Sequence, residues 1–319
     1  MKNKLLAAID IGTNTFRLLI AEVQPDVNKM ANHAIKEIYS ERIITRLVQG
    51  VLESGIIKKK AMIKGIVVLN KFSDIIARYG VFKTSAIATS ALRDAKNRDD
   101  FLKKAKEATM LDIEIVSGDE EARLTSFGML IGIKPFKTAV LADIGGGSTE
   151  LIFVRNKKPE LVHSLKLGVV YLADKYMKND PPLKKDLNQT GKYITRKIAS
   201  IIKTFRKLFS KETVFIGTAG TVTALSAISQ HLTKYEHNKI HNSRITIKKV
   251  RSIFSAISTI PAKERVKYHP LEQSRLDIIV PGTLILLKLM ETFGFKEVIV
   301  SNYGLREGIL IDLYDKNKK

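Results

Sequence analysis

An Asp-Ile-Gly turn that occurs twice constrains the fold of this chain more than any other feature. The first copy reads Asp10-Ile-Gly-Thr-Asn-Thr15, preceded by an apolar run from Leu5 and followed by another from Phe16 to Val23. The second reads Asp143-Ile-Gly-Gly-Gly-Ser-Thr-Glu150, between apolar runs at 138–142 and 151–154. Two short apolar runs joined by a glycine-bearing turn read as a β-hairpin. Asp143 follows Asp10 by 133 residues, about one domain length, which implies an internal duplication. The 319 residues exceed what one hydrophobic core usually encloses, so two domains are expected.

Between the hairpins, strand and helix patterns alternate. Met62, Ile66, Leu69, Phe72 and Ile76 give 58–78 a helical spacing. Residues 83–89 and 113–116 read as strands, 98–109 as a helix, and 119 onward as a helix started by acids. In the second half, 213–216 reads as a strand, 221–230 as a helix, and 272–292 as a long helix broken near Pro281. Hairpins followed by βαβ units imply an α/β class with a mixed sheet in each half. The boundary falls at 131–136 without a Pro/Gly-rich linker.

Charge is the compositional outlier. Lys and Arg number 54 against 32 Asp and Glu, a net charge of +22. Such a balance concentrates polyanions near the surface, while a simpler reading is a set of solvated basic faces. Both readings apply to 192–211, where Ile194, Ile198, Ile201 and Phe205 lie on one helical stripe and Arg196, Lys197, Lys203 and Arg206 lie off it. There is no cysteine, which excludes disulfides, thiolate metal sites and cysteine nucleophiles and fits a reducing compartment. The early Asp10 leaves too short an apolar run for a signal peptide. The apolar stretch at 278–290 contains Pro281 and Lys288 and falls short of the roughly 20 residues of a membrane span. A cytoplasmic protein without membrane contact is expected.

Glycine-rich turns directly after strands leave backbone N–H groups open to an anion. Asp10 and Asp143 beside a bound phosphate would repel it unless a cation lay between, most simply Mg2+. A third turn, Gly217-Thr-Ala-Gly-Thr221, follows another strand. The six histidines show no zinc-type spacing.

Asp10-Ile-Gly-Thr-Asn-Thr, Ser117-Gly-Asp-Glu-Glu-Ala-Arg-Leu124, Asp143-Ile-Gly-Gly-Gly-Ser-Thr-Glu150 and Gly217-Thr-Ala-Gly-Thr-Val-Thr-Ala-Leu225 together resemble the exopolyphosphatase/guanosine pentaphosphate phosphohydrolase (Ppx/GppA) family. That family belongs to the superfamily of actin, sugar kinases and heat-shock chaperone ATPases (ASKHA). The resemblance extends to Gly304-Leu-Arg-Glu-Gly-Ile-Leu310. It implies two duplicated actin-like, ribonuclease H-like α/β domains with an interdomain active-site cleft. Their expected limits are 1–132 and 133–302, with a C-terminal helix at 303–319 packing back on the first. Many family members carry a further C-terminal domain with a His-Asp motif that is absent here, so a short, two-domain member is expected.

By resemblance, Glu121 would be the general base that deprotonates the attacking water. Asp143 and Glu150 would be metal-associated acids, with Asp10 at the first phosphate turn. The phosphate contacts would be Gly12, Thr13 and Asn14, then Arg93, then Gly145, Gly146, Gly147 and Ser148, and finally Gly217, Thr218 and Gly220. The cofactor would be Mg2+ or another divalent ion such as Mn2+, and the oligomer a homodimer. Without the motif, Glu120 and Glu121 would read simply as acids favoured in a helix first turn, and Arg93 as a surface partner of Asp94 or Asp99. The implied activity is hydrolysis of the terminal phosphoanhydride of polyphosphate, with guanosine pentaphosphate as the rival substrate and nucleic acid disfavoured. Arg196, Lys197, Lys203 and Arg206 are the candidate polyphosphate track. A sugar or acetate kinase would lack the Glu-Glu-Ala-Arg segment. A non-catalytic polyphosphate or alarmone sensor would gain nothing from three acids near an anion.

Overall fold

The strand β1 (Leu5–Ile11) is buried on both faces, as expected of a central strand with neighbours on each side. In the computed structural model, which describes residues 4–25, 33–47, 51–268 and 271–317, the chain divides into two compact units. One comprises 1–132 with 303–319, the other 133–302. The first contains β1, β2 (Thr15–Pro25), β3 (His33–Ile44), α1 (Val51–Ser54), α2 (Lys59–Arg78), β4 (Lys83–Ala88), α3 (Ser90–Arg93), α4 (Arg98–Thr109), β5 (Ile113–Ile115) and α5 (Gly118–Met129). The second contains β6 (Thr138–Ile144), β7 (Thr149–Arg155), β8 (Lys158–Leu165), α6 (Val169–Tyr176), α7 (Lys184–Arg206), β9 (Val214–Thr218), α8 (Ala219–Ser229), α9 (His237–Ile240), β10 (Arg244–Thr246), α10 (Ile247–Ser258), α11 (Ile279–Phe293) and β11 (Glu297–Val300). The last helix, α12 (Leu305–Lys316), returns to the first unit and packs on α5 and β1. Lys318 and Lys319 lie outside the described residues.

The two sheets repeat one plan. The first has the order β3-β2-β1-β4-β5, and the second β8-β7-β6-β9-β11 with β10 added at its edge. In each, the hairpin strands pair antiparallel and the next two strands join in parallel, with β10 antiparallel to β11 at the edge of the second. The register places Asp10 opposite Arg17 in the first hairpin and Asp143 opposite Glu150 in the second.

Helix limits follow local chemistry. α4 ends where Met110 turns left-handed (φ 59°), and α11 where Gly294 does (φ 84°). The expected break at Pro281 is corrected. A short 3-10 turn at Gln273–Arg275 comes first, and Pro281 then sits in the first turn of α11, where its missing N–H has no intrahelical partner to lose. α7 begins well before the expected 192, because Asp186 accepts from the Leu183 N–H and closes the helix start. It ends at Arg206, short of the expected 211. Among the described residues no helix is long and apolar enough to cross a membrane.

α5 and α12 approach until their backbones touch. A methyl group at Gly128 would overlap the Gly304 carbonyl, and one at Gly308 would overlap that of Leu124. At the rim of this contact Arg123 donates to Glu120 (2.7 Å) and to Asp312 (2.8 Å), and Lys316 also pairs with Asp312 (2.7 Å). Arg123 holds the Glu120 carboxyl below its usual range, against its partial burial. Burial pushes Asp312 up, and hydrogen bonds from Lys316 and Arg123 more than reverse this, leaving it low. Depressed folded-state values stabilise above the unfolded-state values and lose that contribution as pH falls through the folded ones. Asp312→Asn is therefore expected to lower stability by ~1 kcal/mol at neutral pH, and its difference from the parent is expected to shrink as pH falls from neutral through and below the ordinary carboxylate range. Thermal unfolding midpoints across this range check it.

Candidate functional site

The first turn closes by a hydrogen bond from Gly12 N to Thr15 O (3.1 Å), and the second by one from Gly145 N to Ser148 O (2.9 Å). The duplication therefore extends to the same backbone closure, 133 residues apart. In the first turn the Thr13 hydroxyl bonds the Ser90 hydroxyl at the start of α3 (2.8 Å), and the Asn14 carbonyl accepts from Thr45 and Arg46 N–H. Asp10, 1% exposed, lies 2.9 Å from Arg17 Nε. Burial pushes its carboxyl up, and Arg17 and Arg306 pull against that.

The second turn differs at the position equivalent to Arg17, which is Glu150. Residues directly opposite in an antiparallel pair project from the same face with Cβ atoms about 5 Å apart. Asp143 and Glu150 are such a pair, and Ser164, opposite Glu150 on β8, donates its hydroxyl to Glu150 Oε1 (2.8 Å). Like charges so placed are destabilising. A divalent cation fits this acid pair on that ground, because Mg2+ needs only one or two carboxylates beside water and substrate oxygens. Among the described residues no group of three or more His, Asp or Glu could hold a metal. Asp10 faces a cation of the chain itself, so it offers less to a metal than the Asp143–Glu150 pair.

Gly145, Gly146 and Gly147 are part-exposed, and Ser148 is buried. Their conformation is braced from behind by the start of α6. Val169 and Val170 N–H groups donate to the Gly145 and Gly146 carbonyls (3.0 Å each), and a methyl at Gly168 would overlap Gly146 and Gly147. Sequence reading missed Gly168, whose only local signal is a glycine preceding an apolar helix.

The third turn separates into two parts. Gly217 belongs to buried β9, packed between Val222 and Val298, and Thr218 donates its hydroxyl to the Ser301 carbonyl (3.0 Å). Ala219 adopts a left-handed backbone (φ 70°) and Gly220 opens α8. A methyl at Gly220 would collide with the guanidinium of Arg275, which also lies 3.5 Å from Glu272. Arg275 is a second residue that sequence reading missed, since nothing local to 275 points to 220.

Glu121 lies in the first turn of α5, yet is only 8% exposed. The Ser117 hydroxyl caps α5 by accepting from Glu120 N (3.1 Å), which places Glu121 on the inner side of the first turn. Arg93 Nη1 donates to Glu121 Oε2 (3.2 Å) and to the Val116 carbonyl (2.9 Å). The expected phosphate ligand Arg93 is thus seated against the expected base. The acid on the outer side is Glu120, paired with Arg123.

Of the basic residues on α7, Arg196 and Lys197 pack over the Tyr193 ring, each 5.7 Å from its centroid. Arg206 donates to the Thr292 carbonyl (2.8 Å), and Lys203 is exposed. The stripe of Ile194, Ile198, Ile201 and Phe205 is buried.

Two sheets that repeat one five-strand order, each containing an Asp-Ile-Gly hairpin, define a duplicated α/β fold. The chain belongs to the Ppx/GppA phosphatase family, whose model matches residues 27–317. It is 33% identical over 97% of its length to a bifunctional 3-dehydroquinate synthase/phosphatase of Fusobacterium nucleatum, and spans about half (46%) of that protein. It is 28% identical to exopolyphosphatase 2 of Mycobacterium tuberculosis, over 97% of this chain and 98% of that one. The crystal structure of the Aquifex aeolicus Ppx/GppA family member is similar, with a TM-score of 0.81, 29% identity and 99% coverage of both chains.

Proposed function

We propose that this protein hydrolyses the terminal phosphoanhydride of inorganic polyphosphate and releases orthophosphate. The observation that carries the reading is Glu121, a buried carboxylate fixed at one oxygen by Arg93. Phosphoryl transfer to water asks the protein mainly for charge neutralisation and an aligned nucleophile. Glu121 accepts a proton from the attacking water. The water oxygen bonds to the terminal phosphorus as the bridging P–O bond breaks, and the shortened chain leaves with that bridging oxygen. Backbone N–H groups of Gly145, Gly146 and Gly147 with the Ser148 hydroxyl hold the terminal phosphate, and Arg275 beside Gly220 supplies a further positive charge. Asp143 and Glu150 would hold the divalent cation, Mg2+ or Mn2+, which supplies charge neutralisation at the phosphate oxygens.

The name of the Mycobacterium tuberculosis relative supports the polymer as substrate, and so does the +22 charge. Each Lys or Arg contact with a polyanion releases counterions, so binding of a long chain depends steeply on salt. The test is phosphate release with Mg2+ on long polyphosphate, tripolyphosphate, guanosine pentaphosphate and ATP. Long polyphosphate is expected to give a kcat/KM at least ~10-fold above the others at low salt and to lose most affinity between about 50 and 200 mM salt. Faster release from guanosine pentaphosphate, with a shallow salt slope for both ligands, would replace the polymer with the nucleotide as substrate and return Arg196, Lys197, Lys203 and Arg206 to a solvated face.

A further inference from the structure

Arg265 is the bulkiest fully buried side chain among the described residues, at 2% exposure. It lies in the 3-10 turn Ala262–Lys267 and makes four hydrogen bonds to separate points of the second unit. Nε donates to the Ile257 carbonyl (2.8 Å), and Nη2 to the Ile260 carbonyl (3.0 Å) and Asp180 Oδ1 (3.3 Å). Nη1 donates to the Leu276 carbonyl (2.5 Å). Stripping water from a guanidinium is costly, and an apolar side chain of similar volume often stabilises a core as well or better. A cation kept here is therefore better explained by what its bonds position than by the stability they add.

Three of these bonds tie the turn to its own surroundings. The fourth reaches the segment that carries Arg275. Leu276 directly follows Arg275, whose guanidinium lies against the Gly220 backbone at the start of α8. The same start is also packed by α11, where a methyl at Gly282 would overlap Thr221. The Arg275 side chain itself is part-exposed, so its placement depends on how firmly its backbone is held. The planar fork of arginine is suited to holding carbonyls that lie in different directions, which a single ammonium group cannot do.

We propose that Arg265 is a positioning residue for phosphate binding: by anchoring the Leu276 carbonyl it fixes Arg275 against the Gly220 turn, where Arg275 meets the terminal phosphates of the substrate. This rests on reading that turn as a phosphate site. Arg265 touches no substrate and acts through Arg275.

A double-mutant cycle in the full chain tests it, with long polyphosphate as substrate and inorganic phosphate as competing inhibitor. Arg275→Met is expected to raise KM and the phosphate inhibition constant about tenfold. Arg265→Lys is expected to raise both by a similar factor with kcat within about twofold, and to add nothing in the Arg275→Met background. Asp180→Ala removes one partner of Arg265 while keeping the Leu276 bond, so it is expected to lower Tm and leave KM unchanged. Arg265→Met, which keeps apolar volume in the core, repeats the cycle if the lysine variant does not fold. Independent, multiplying effects of the two arginines would overturn the proposal, as would an Arg265→Lys variant with lowered Tm and normal KM. Failure of both Arg265 variants to fold assigns the residue to stability alone and overturns it too. An unchanged KM in Arg275→Met is a different failure, which removes the turn as a phosphate site and the proposal with it.

Discussion

Glu121→Gln is expected to lower orthophosphate release at least ~10²-fold while leaving polyphosphate binding within a few-fold of the parent. The amide keeps an oxygen that can accept from Arg93, so the 3.2 Å contact has a replacement, while the ability to take a proton from water is gone. Burial sharpens the expectation. An exposed glutamate at a helix start could be exchanged with little effect, whereas Glu121, 8% exposed and bonded to Arg93, occupies a defined place. Single-turnover release and equilibrium binding, measured on protein whose unfolding midpoint matches the parent's, separate chemistry from affinity. Near-normal turnover in the variant would remove Glu121 as the base and return it to the role of an acid stabilising its helix start.

The second large effect concerns stability. Gly308→Ala is expected to destabilise the first unit by ~3 kcal/mol, at the upper end of overpacking effects. In an exposed helix interior the same change would stabilise by up to about 1 kcal/mol. Here the added methyl meets the Leu124 carbonyl of α5, a backbone atom that cannot rotate away, so α5 and α12 must separate. That separation also pulls Arg123 from Asp312. The measurement is the thermal midpoint together with amide exchange in α12, where protection is expected to fall. A midpoint equal to or above the parent's would show that the helices can slide apart freely, and would refute close backbone contact as the bond between them.

What was legible in the sequence was whatever is encoded by neighbours in the chain. The two hairpins follow from apolar runs around Asp-Ile-Gly turns, and α4 from a spacing that ends at Thr109 where Met110 leaves the helical region. Pro281 was misjudged because a proline signals a break unless its place relative to the helix start is known, and that start is set by the preceding 3-10 turn. At the site, motif residues could be named but not their partners. Arg93 and Glu121 are separated by 28 residues, and only the fold brings them together. Gly168 behind the second turn and Arg275 against Gly220 are tertiary relations with no spacing that a sequence reader could recognise, whereas Arg17 faces Asp10 through the register of a hairpin that was legible. Gly217 shows the same limit from the other side: within its motif it reads as a ligand cradle, and only the fold shows that it packs between Val222 and Val298.

The difference between the duplicated turns is the most informative of these findings. At equivalent ladder positions one hairpin sets an arginine against its aspartate and the other a glutamate. The first neutralises itself; the second gathers negative charge that a divalent ion would balance.

Phosphate leaving from chain ends is written in the lengths of the products. Long polyphosphate is incubated with the protein and Mg2+, and the mixture is resolved by length over time beside a measurement of free orthophosphate. Hydrolysis at chain ends gives orthophosphate from the earliest time points, with the remaining polymer shortening from its ends and no mid-length fragments preceding that release. Fragments of intermediate length ahead of orthophosphate, or no orthophosphate at any divalent concentration, would contradict it.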